Sequence, residues 1–336
     1  MINIKKDSIV YIFCPAYSKT GGPELLHQLA HNLKEKGIHA PIIYINTSSD
    51  NENYTPDDFK IYNFDFGFEN DIIDDKNNIV IIPEIYVERI NKYKRIRTAI
   101  WWLSVDNYSK NYTYRKSMEV YGFKHTLKLL LNGKILFHGR DYKKADYHLC
   151  QSYYSINFLK QNGISSVEYL SDYINDSYLK IDNLDKTKRE NIVLYNPKKG
   201  IEFTKKIMNK ASDIDFIAIQ NLTTEQVKEL LLKSKVYIDF GNHPGKDRFP
   251  REAAMCGCCV ITGKKGSAYF YEDVPIDDEF KFKDDENNID SIVKQIKKCL
   301  KEYDTQSKKF AGYRKFISDE KNKFKDDINH IFIIDK

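Results

Sequence analysis

Residues 243–268, HPGKDRFPREAAMCGCCVITGKKGSA, gather the residue types that bind an anion. Lys246, Arg248 and Arg251 supply positive charge, and Asp247 and Glu252 supply carboxylates, within a run of seven residues. The following EAAMCG stretch is a short helix of mostly small residues that can pack closely. Cations beside the free N–H groups of a helix start favour a phosphate. A carboxylate on the first turn, Glu252, can accept hydrogen bonds from ribose hydroxyls. The loop at 263–268, with Gly266 and Ser267, brings further backbone N–H groups. The competing reading is a capped helix with surface ion pairs.

Four other segments carry candidate chemistry. In PAYSKTGGP (15–23), Gly21 and Gly22 let the backbone approach a ligand, at the start of a helix. The run is not G-x-G-x-x-G and no acid ends the second strand, so NAD binding is disfavoured, and the Gly-Lys-Ser/Thr ending of a P-loop is missing. The alternative is a tight turn. In YNPKKG (195–200), Asn196, Lys198 and Lys199 follow a strand and suit a diphosphate, or form a solvated basic turn. Gln220 and Asn221 follow another strand and could frame a base. In WWLSVDNY (101–108), the tryptophans read as core, while Asp106 could orient or deprotonate an acceptor hydroxyl. Lys124, Lys128, Lys134, Arg140, Lys143 and Lys144 surround the apolar LKLLL run. That is either a basic amphipathic edge for anionic lipid or an ordinary helix with a solvated face.

Alternating strands and helices must position these groups. Strands are expected at 8–14, 40–46, 78–82, 98–103 and 146–151, with helices from Gly21 to Gly37, across 85–93, and ending near Gly163. The pattern restarts with strands at 191–195, 214–220, 236–240 and 259–262 and helices at 201–210, 224–234, 251–256 and 289–303. Such alternation implies parallel sheets covered on both faces, with ligands beyond the carboxyl ends of the strands. The expected domains are 1–170 and 171–320, with a polar linker at 171–190 and a charged surface helix at 321–336 that packs back on the first domain. An exposed polar loop is expected at 48–58.

The chain has 336 residues, enough for two cores of about 150 residues each. A formal net charge of +5 is too mild for a nucleic-acid binder but suits anionic substrates. No apolar run approaches the roughly 20 residues of a membrane span, and the N-terminus reads as a strand rather than a signal peptide. The expected location is the cytoplasm. The six cysteines form neither a disulfide framework nor a zinc-ligand pattern and read as buried thiols.

The run Arg251-Glu252-Ala253-Ala254-Met255-Cys256-Gly257, followed by Cys258-Cys259-Val260-Ile261-Thr262, resembles the second-domain signature of the GT-B glycosyltransferases, especially the large retaining family 4. Thr20-Gly21-Gly22, Lys198-Lys199-Gly200 and Ala145-Asp146-Tyr147-His148-Leu149 with Ser152 resemble further parts of it. The resemblance implies a GT-B fold of two Rossmann-like, doubly wound domains across a cleft, the first on the acceptor side and the second on the donor side. It implies transfer of a sugar from a nucleotide-diphosphate-sugar donor to a hydroxyl of a growing surface glycan, with retention. Glu252 would hold the ribose, and Lys198 or Lys199, with Arg248 and Arg251 and assisted by the Gly21 and Gly22 amides, would neutralise the leaving diphosphate. The family's first glutamate falls on Pro244, for which Asp247 or His243 would substitute. No DxD-type acidic pair is apparent, so neither a metal nor a cofactor besides the donor is expected. Expected partners are the nucleotide sugar, a glycan or lipid-linked acceptor and the cytoplasmic face of the inner membrane. The rival reading is a non-catalytic subunit of the same fold that binds a glycan or a partner glycosyltransferase.

Overall fold

The computed structural model describes residues 1–48, 53–181 and 188–335. Parts of the loop expected at 48–58 and of the linker expected at 171–190 lie outside the described residues. The chain divides into two units, Met1–Asp172 with Asn322–Lys336, and Tyr173–Lys321.

The first unit contains β1 (Ile2–Ile4), β2 (Val10–Pro15), α1 (Gly21–Glu35), β3 (Ile42–Ile45), β4 (Phe66–Phe68), β5 (Ile79–Pro83) and β6 (Arg97–Trp102). These are followed by α2 (Val105–Tyr112), α3 (Tyr114–Leu131), α4 (Lys134–His138), β7 (Tyr147–Cys150), α5 (Tyr153–Gln161) and β8 (Glu168–Tyr169). Seven strands form one parallel sheet in the order β4-β3-β2-β5-β6-β7-β8. Counted from β2 this is the Rossmann order with one strand added. In β2 and β5 consecutive side chains are buried, as a sheet covered on both faces requires. Trp101 and Trp102 are fully buried, so both belong to the core.

The second unit contains α6 (Asp176–Leu179), β9 (Glu190–Tyr195), α7 (Ile201–Lys210), β10 (Asp215–Ala218), α8 (Thr224–Lys233), β11 (Ser234–Asp239) and α9 (Arg248–Met255). After these come β12 (Cys259–Gly263), β13 (Lys281–Phe282), α10 (Ile289–Lys301), α11 (Tyr303–Lys308) and α12 (Ala311–Ile331). Its parallel sheet runs β10-β9-β11-β12-β13. Counted from β9 this is 2-1-3-4-5, the other common doubly wound order. All six cysteines are buried and free, and burial pushes the Cys258 thiol up to about 12.

Two expected helices differ from the sequence-based expectation. The crossover between β5 and β6 is not an α-helix but a 3₁₀ segment, Glu84–Lys92, broken at Tyr86. Only 13 residues separate the two strands, near the minimum of about 10–12 that a parallel connection needs, so the helix tightens. The C-terminal helix is not a surface helix. Tyr313, Ile317, Glu320, Phe324, Ile328 and Ile331 are buried at helical spacing, so one full face of α12 packs inward. α12 belongs to the second unit through Lys321 and to the first from Asn322. The chain then ends in β14 (Phe332–Ile334), which pairs in parallel with β1.

Candidate functional site

Each doubly wound sheet has a point where its strand order reverses, and ligands of such sheets bind beyond the carboxyl ends of the strands there. In the second unit that point lies between β9 and β11. The loop after β9 carries Asn196, Lys198, Lys199 and Gly200, and the loop after β11 carries residues 240–247. The two backbones touch. Gly200 has φ of 53°, and a Cβ built on it would lie 2.0 Å from the Phe240 carbonyl oxygen. The third loop, after β12, is locked to the second in the same way. Gly266 has φ of 57°, and its Cβ would lie 2.0 Å from the His243 carbonyl oxygen. No other residue type fits either position without backbone movement. Ser267 N–H donates to that His243 carbonyl at 2.8 Å, and its hydroxyl donates to the Gly245 carbonyl.

His243 lies fully buried at the centre of these loops. Its Nδ1 is 2.8 Å from an Asp247 carboxylate oxygen, and its Nε2 is 3.7 Å from Asp239 Oδ1. The Tyr237 hydroxyl donates to the other Asp239 oxygen at 3.0 Å. Lys199 pairs with the same Asp247 oxygen. Burial alone would drive the proton off His243, but the Asp239 and Asp247 carboxylates outweigh it and raise its pKa. Burial likewise opposes ionisation of Asp247, yet His243 and Lys199 hold its carboxyl below the usual range. Asp239, His243 and Asp247 approach each other closely enough to hold a metal ion. The two ring nitrogens, however, face different carboxylates and Lys199 already occupies Asp247, so the arrangement fits a chain of ion pairs better.

Beyond this chain, α12 grips the same loop. Lys246, Arg251 and Glu320 have side chains 1%, 1% and 3% exposed. Glu320 takes Lys246 Nζ at 2.7 Å on one oxygen and Arg251 at 2.8 Å on the other. Arg251 also donates to the backbone carbonyls of Lys246 and Asp247, at 2.9 and 3.2 Å. One helical turn away, the Phe316 ring lies 5.0 Å from Lys246 Nζ.

Two of the expected site residues are engaged within the loop itself. The Arg251 guanidinium is buried against Glu320 and two backbone carbonyls. Asp247 is engaged in ion pairs. It caps α9 through its backbone and holds Lys199 and His243, and its lowered pKa makes it a poor proton acceptor. Of the other second-unit candidates, Asn196 and Ser267 are buried, while Lys198, Arg248, Glu252, Gln220 and Asn221 are at least partly exposed. Asn196 Oδ1 accepts from Lys198 N–H at 3.0 Å, which shapes the turn and leaves Lys198 exposed. Arg248 is the first residue of α9 and Glu252 lies one turn later, both partly exposed. Gln220 and Asn221 are exposed after β10, with Asn221 in the left-handed conformation. Sequence reasoning missed Asp239, at a strand end, and Glu320. An acid at the buried phase of an amphipathic helix was the one available signal for Glu320.

In the first unit the order reverses between β2 and β5. Gly21 and Gly22 open α1 in the loop after β2. Glu84, also missed, follows β5 and is buried. One of its carboxylate oxygens accepts from Leu103 N–H at 3.0 Å, tying the ends of β5 and β6 together. Burial pushes this carboxyl up to about 7, against the pull of its backbone donors. Asp106 lies in the first turn of α2, where it accepts from the Tyr154 hydroxyl at 3.0 Å.

No family profile and no curated protein sequence matches the chain. Solved structures do. Anabaena Alr3699/HepE, in complex with UDP and glucose, aligns with a TM-score of 0.63 at 11% identity over 96% of this chain and 98% of that one. A glycosyltransferase from Rickettsia africae ESF-5 aligns at 0.55 and 15% identity, over 96% and 99% of the two chains. An alpha-glucosyltransferase in complex with UDP and a 13-mer DNA aligns at 0.55 and 12%, over 92% and 94%. The chain has the GT-B fold. Its two doubly wound sheets are the Rossmann-like sheets of that fold.

Two outcomes check the site's electrostatics. Glu320→Ala leaves Lys246 and Arg251 buried without their carboxylate and should destabilise the protein by about 3 kcal/mol or more, read by urea unfolding. His243 has a folded pKa above its unfolded value, so its stabilising contribution is complete below the unfolded value and fades as pH rises through the folded one. The melting-temperature advantage of wild type over His243→Gln should therefore shrink as pH rises above about 6.5, the unfolded value. An advantage that grows with pH contradicts the buried imidazolium.

Proposed function

We propose that this chain is a glycosyltransferase that moves a sugar from a nucleotide-diphosphate-sugar donor to a hydroxyl of a surface-glycan acceptor. The observation that carries the reading is the meeting of three glycine-locked loops at the switch point of the second sheet, with Lys198, Lys199, Arg248 and the start of α9 at their rim. That is a ready place for a diphosphate. The structural neighbour Alr3699/HepE was solved with UDP and with UDP-glucose, which supports a nucleotide-sugar donor.

In this proposal Lys198, Arg248 and the α9 amides hold the diphosphate and stabilise the charge it gains as the bond to the sugar carbon breaks. Lys199 is held in place by Asp247 and adds to the same field. Glu252 accepts from the ribose hydroxyls, and Gln220 and Asn221 frame the base. The acceptor side is proposed for the first unit, where Asp106 orients the incoming hydroxyl and Gly21 and Gly22 offer backbone N–H groups. Transfer without a metal, with retention of configuration and in the cytoplasm, completes the proposal. Pro244 in place of the expected glutamate, and the engagement of Asp247 in ion pairs, favour a second reading: a non-catalytic subunit of this fold.

A panel of UDP-, GDP-, ADP- and dTDP-sugars separates the two readings. One donor should be hydrolysed or transferred. Arg248→Ala and Glu252→Ala should each lower that turnover by about a hundredfold while the melting temperature without nucleotide stays near wild type. Thermal stabilisation by a nucleoside diphosphate with no turnover of any donor selects the subunit. No stabilisation and no turnover sinks the enzyme reading.

A further inference from the structure

We infer that α3, the turn after it and α4 form a docking surface for an anionic lipid bilayer. The inference stands apart from the transfer reading, because it concerns a face of the first unit and needs no nucleotide.

The apolar side chains here face solvent. Phe123 is 63% exposed, Leu131 81%, Leu136 66% and Phe137 75%, and Tyr114, Val120, Tyr121 and Leu127 are exposed as well. Phe123, Leu127 and Leu131 follow each other at intervals of four, so they line one stripe of the helical run after the break at Gly122. So many exposed large apolar side chains in one short segment are uncommon on a protein that meets only water.

Charge decides what covers it. Residues 114–144 hold eight Lys and Arg against Glu119 and Asp141, a net +6 in a chain whose total is +5. Lys124 and Lys128 sit one position round the helix from Phe123 and Leu127, are exposed, and make no ion pair among the described residues. Both carboxylates are silenced: Glu119 pairs with Lys116 at 2.8 Å, and Asp141 is buried against Lys144 and His138. Glu88, packed against α4, is taken by Lys134 at 3.4 Å and by the Tyr112 hydroxyl. Among the described residues, no unpaired acid of residues 114–144 repels a lipid phosphate. An apolar stripe flanked by long cations matches the bilayer interface, where rings and leucines enter the acyl boundary and lysine stems reach up to the headgroups. A second copy of the chain is a poorer occupant, because a self-paired face would set Lys124 and Lys128 against their own kind.

The test is co-sedimentation of the full chain with vesicles of phosphatidylcholine alone or with about a quarter phosphatidylglycerol, without nucleotide. The chain should bind the anionic vesicles and not the neutral ones, and binding should fall as salt rises from about 0.05 M to about 0.5 M. Lys124→Glu with Lys128→Glu should weaken partitioning by at least about tenfold. Phe123→Ser with Leu131→Ser should weaken it comparably, and both variants should melt as wild type because these side chains are exposed. Equal binding to neutral vesicles, no binding to anionic ones, or variants that bind as wild type would overturn the inference. Self-association that Phe123→Ser with Leu131→Ser abolishes, with no vesicle binding, would give the face to a second copy and overturn it too. Donor turnover is scored separately, so either proposal can fail while the other stands.

Discussion

The second unit depends on two places where backbone meets backbone without room for a side chain. At Gly200 the loop after β9 lies against the Phe240 carbonyl, and at Gly266 the loop after β12 lies against the His243 carbonyl. Three parallel strands deliver their carboxyl ends side by side, but strands alone do not bring loops into register. The two left-handed glycines do. With them in place, the His243 ring is enclosed, Lys199 reaches Asp247, and the first turn of α9 faces the same edge as the lysine turn.

Enclosure has an electrostatic consequence. A buried imidazole next to two carboxylates keeps its proton only because both are close, and Asp247 stays ionised only because His243 and Lys199 are close. The group is internally balanced, so it supplies rigidity rather than net charge. Arg251 and Lys246 share one buried carboxylate, Glu320, in a second locked cluster. The cations left at the rim are those that neither arrangement buries, chiefly Lys198 with Arg248 at the helix start. The loop thus separates into a locked interior and a charged edge, and a diphosphate would meet the edge.

Much of the fold was legible in the sequence, because its strands are buried on both faces and read as plain apolar runs: VYIFCP, IVIIP and CVITG have no polar alternation to blur them. The short strands were not legible. Phe66–Phe68, Glu168–Tyr169 and Lys281–Phe282 lie on or near sheet edges, where two or three residues carry no periodic signal. β14 was hidden behind the charged face of α12. The residue types of the candidate site were visible at 243–268, yet their division of labour was not. Arg248 and Arg251 look equivalent in one dimension. Helical spacing puts one at the rim and turns the other inward, onto Glu320, a residue 69 positions away. Glu84 was passed over for the same reason: its partner, Leu103 N–H, becomes a neighbour only when β5 and β6 pair.

The central claim is that the locked loops of the second unit present a diphosphate site at the carboxyl edge of their sheet. A crystal structure of the chain with a nucleoside diphosphate tests it most directly. The account predicts phosphate density at the start of α9, within hydrogen-bond reach of Arg248 and the lysine turn, with the ribose at Glu252 and His243 still enclosed. Nucleotide bound elsewhere, or a diphosphate contacted by Arg251 with the Glu320 pair broken, would contradict it.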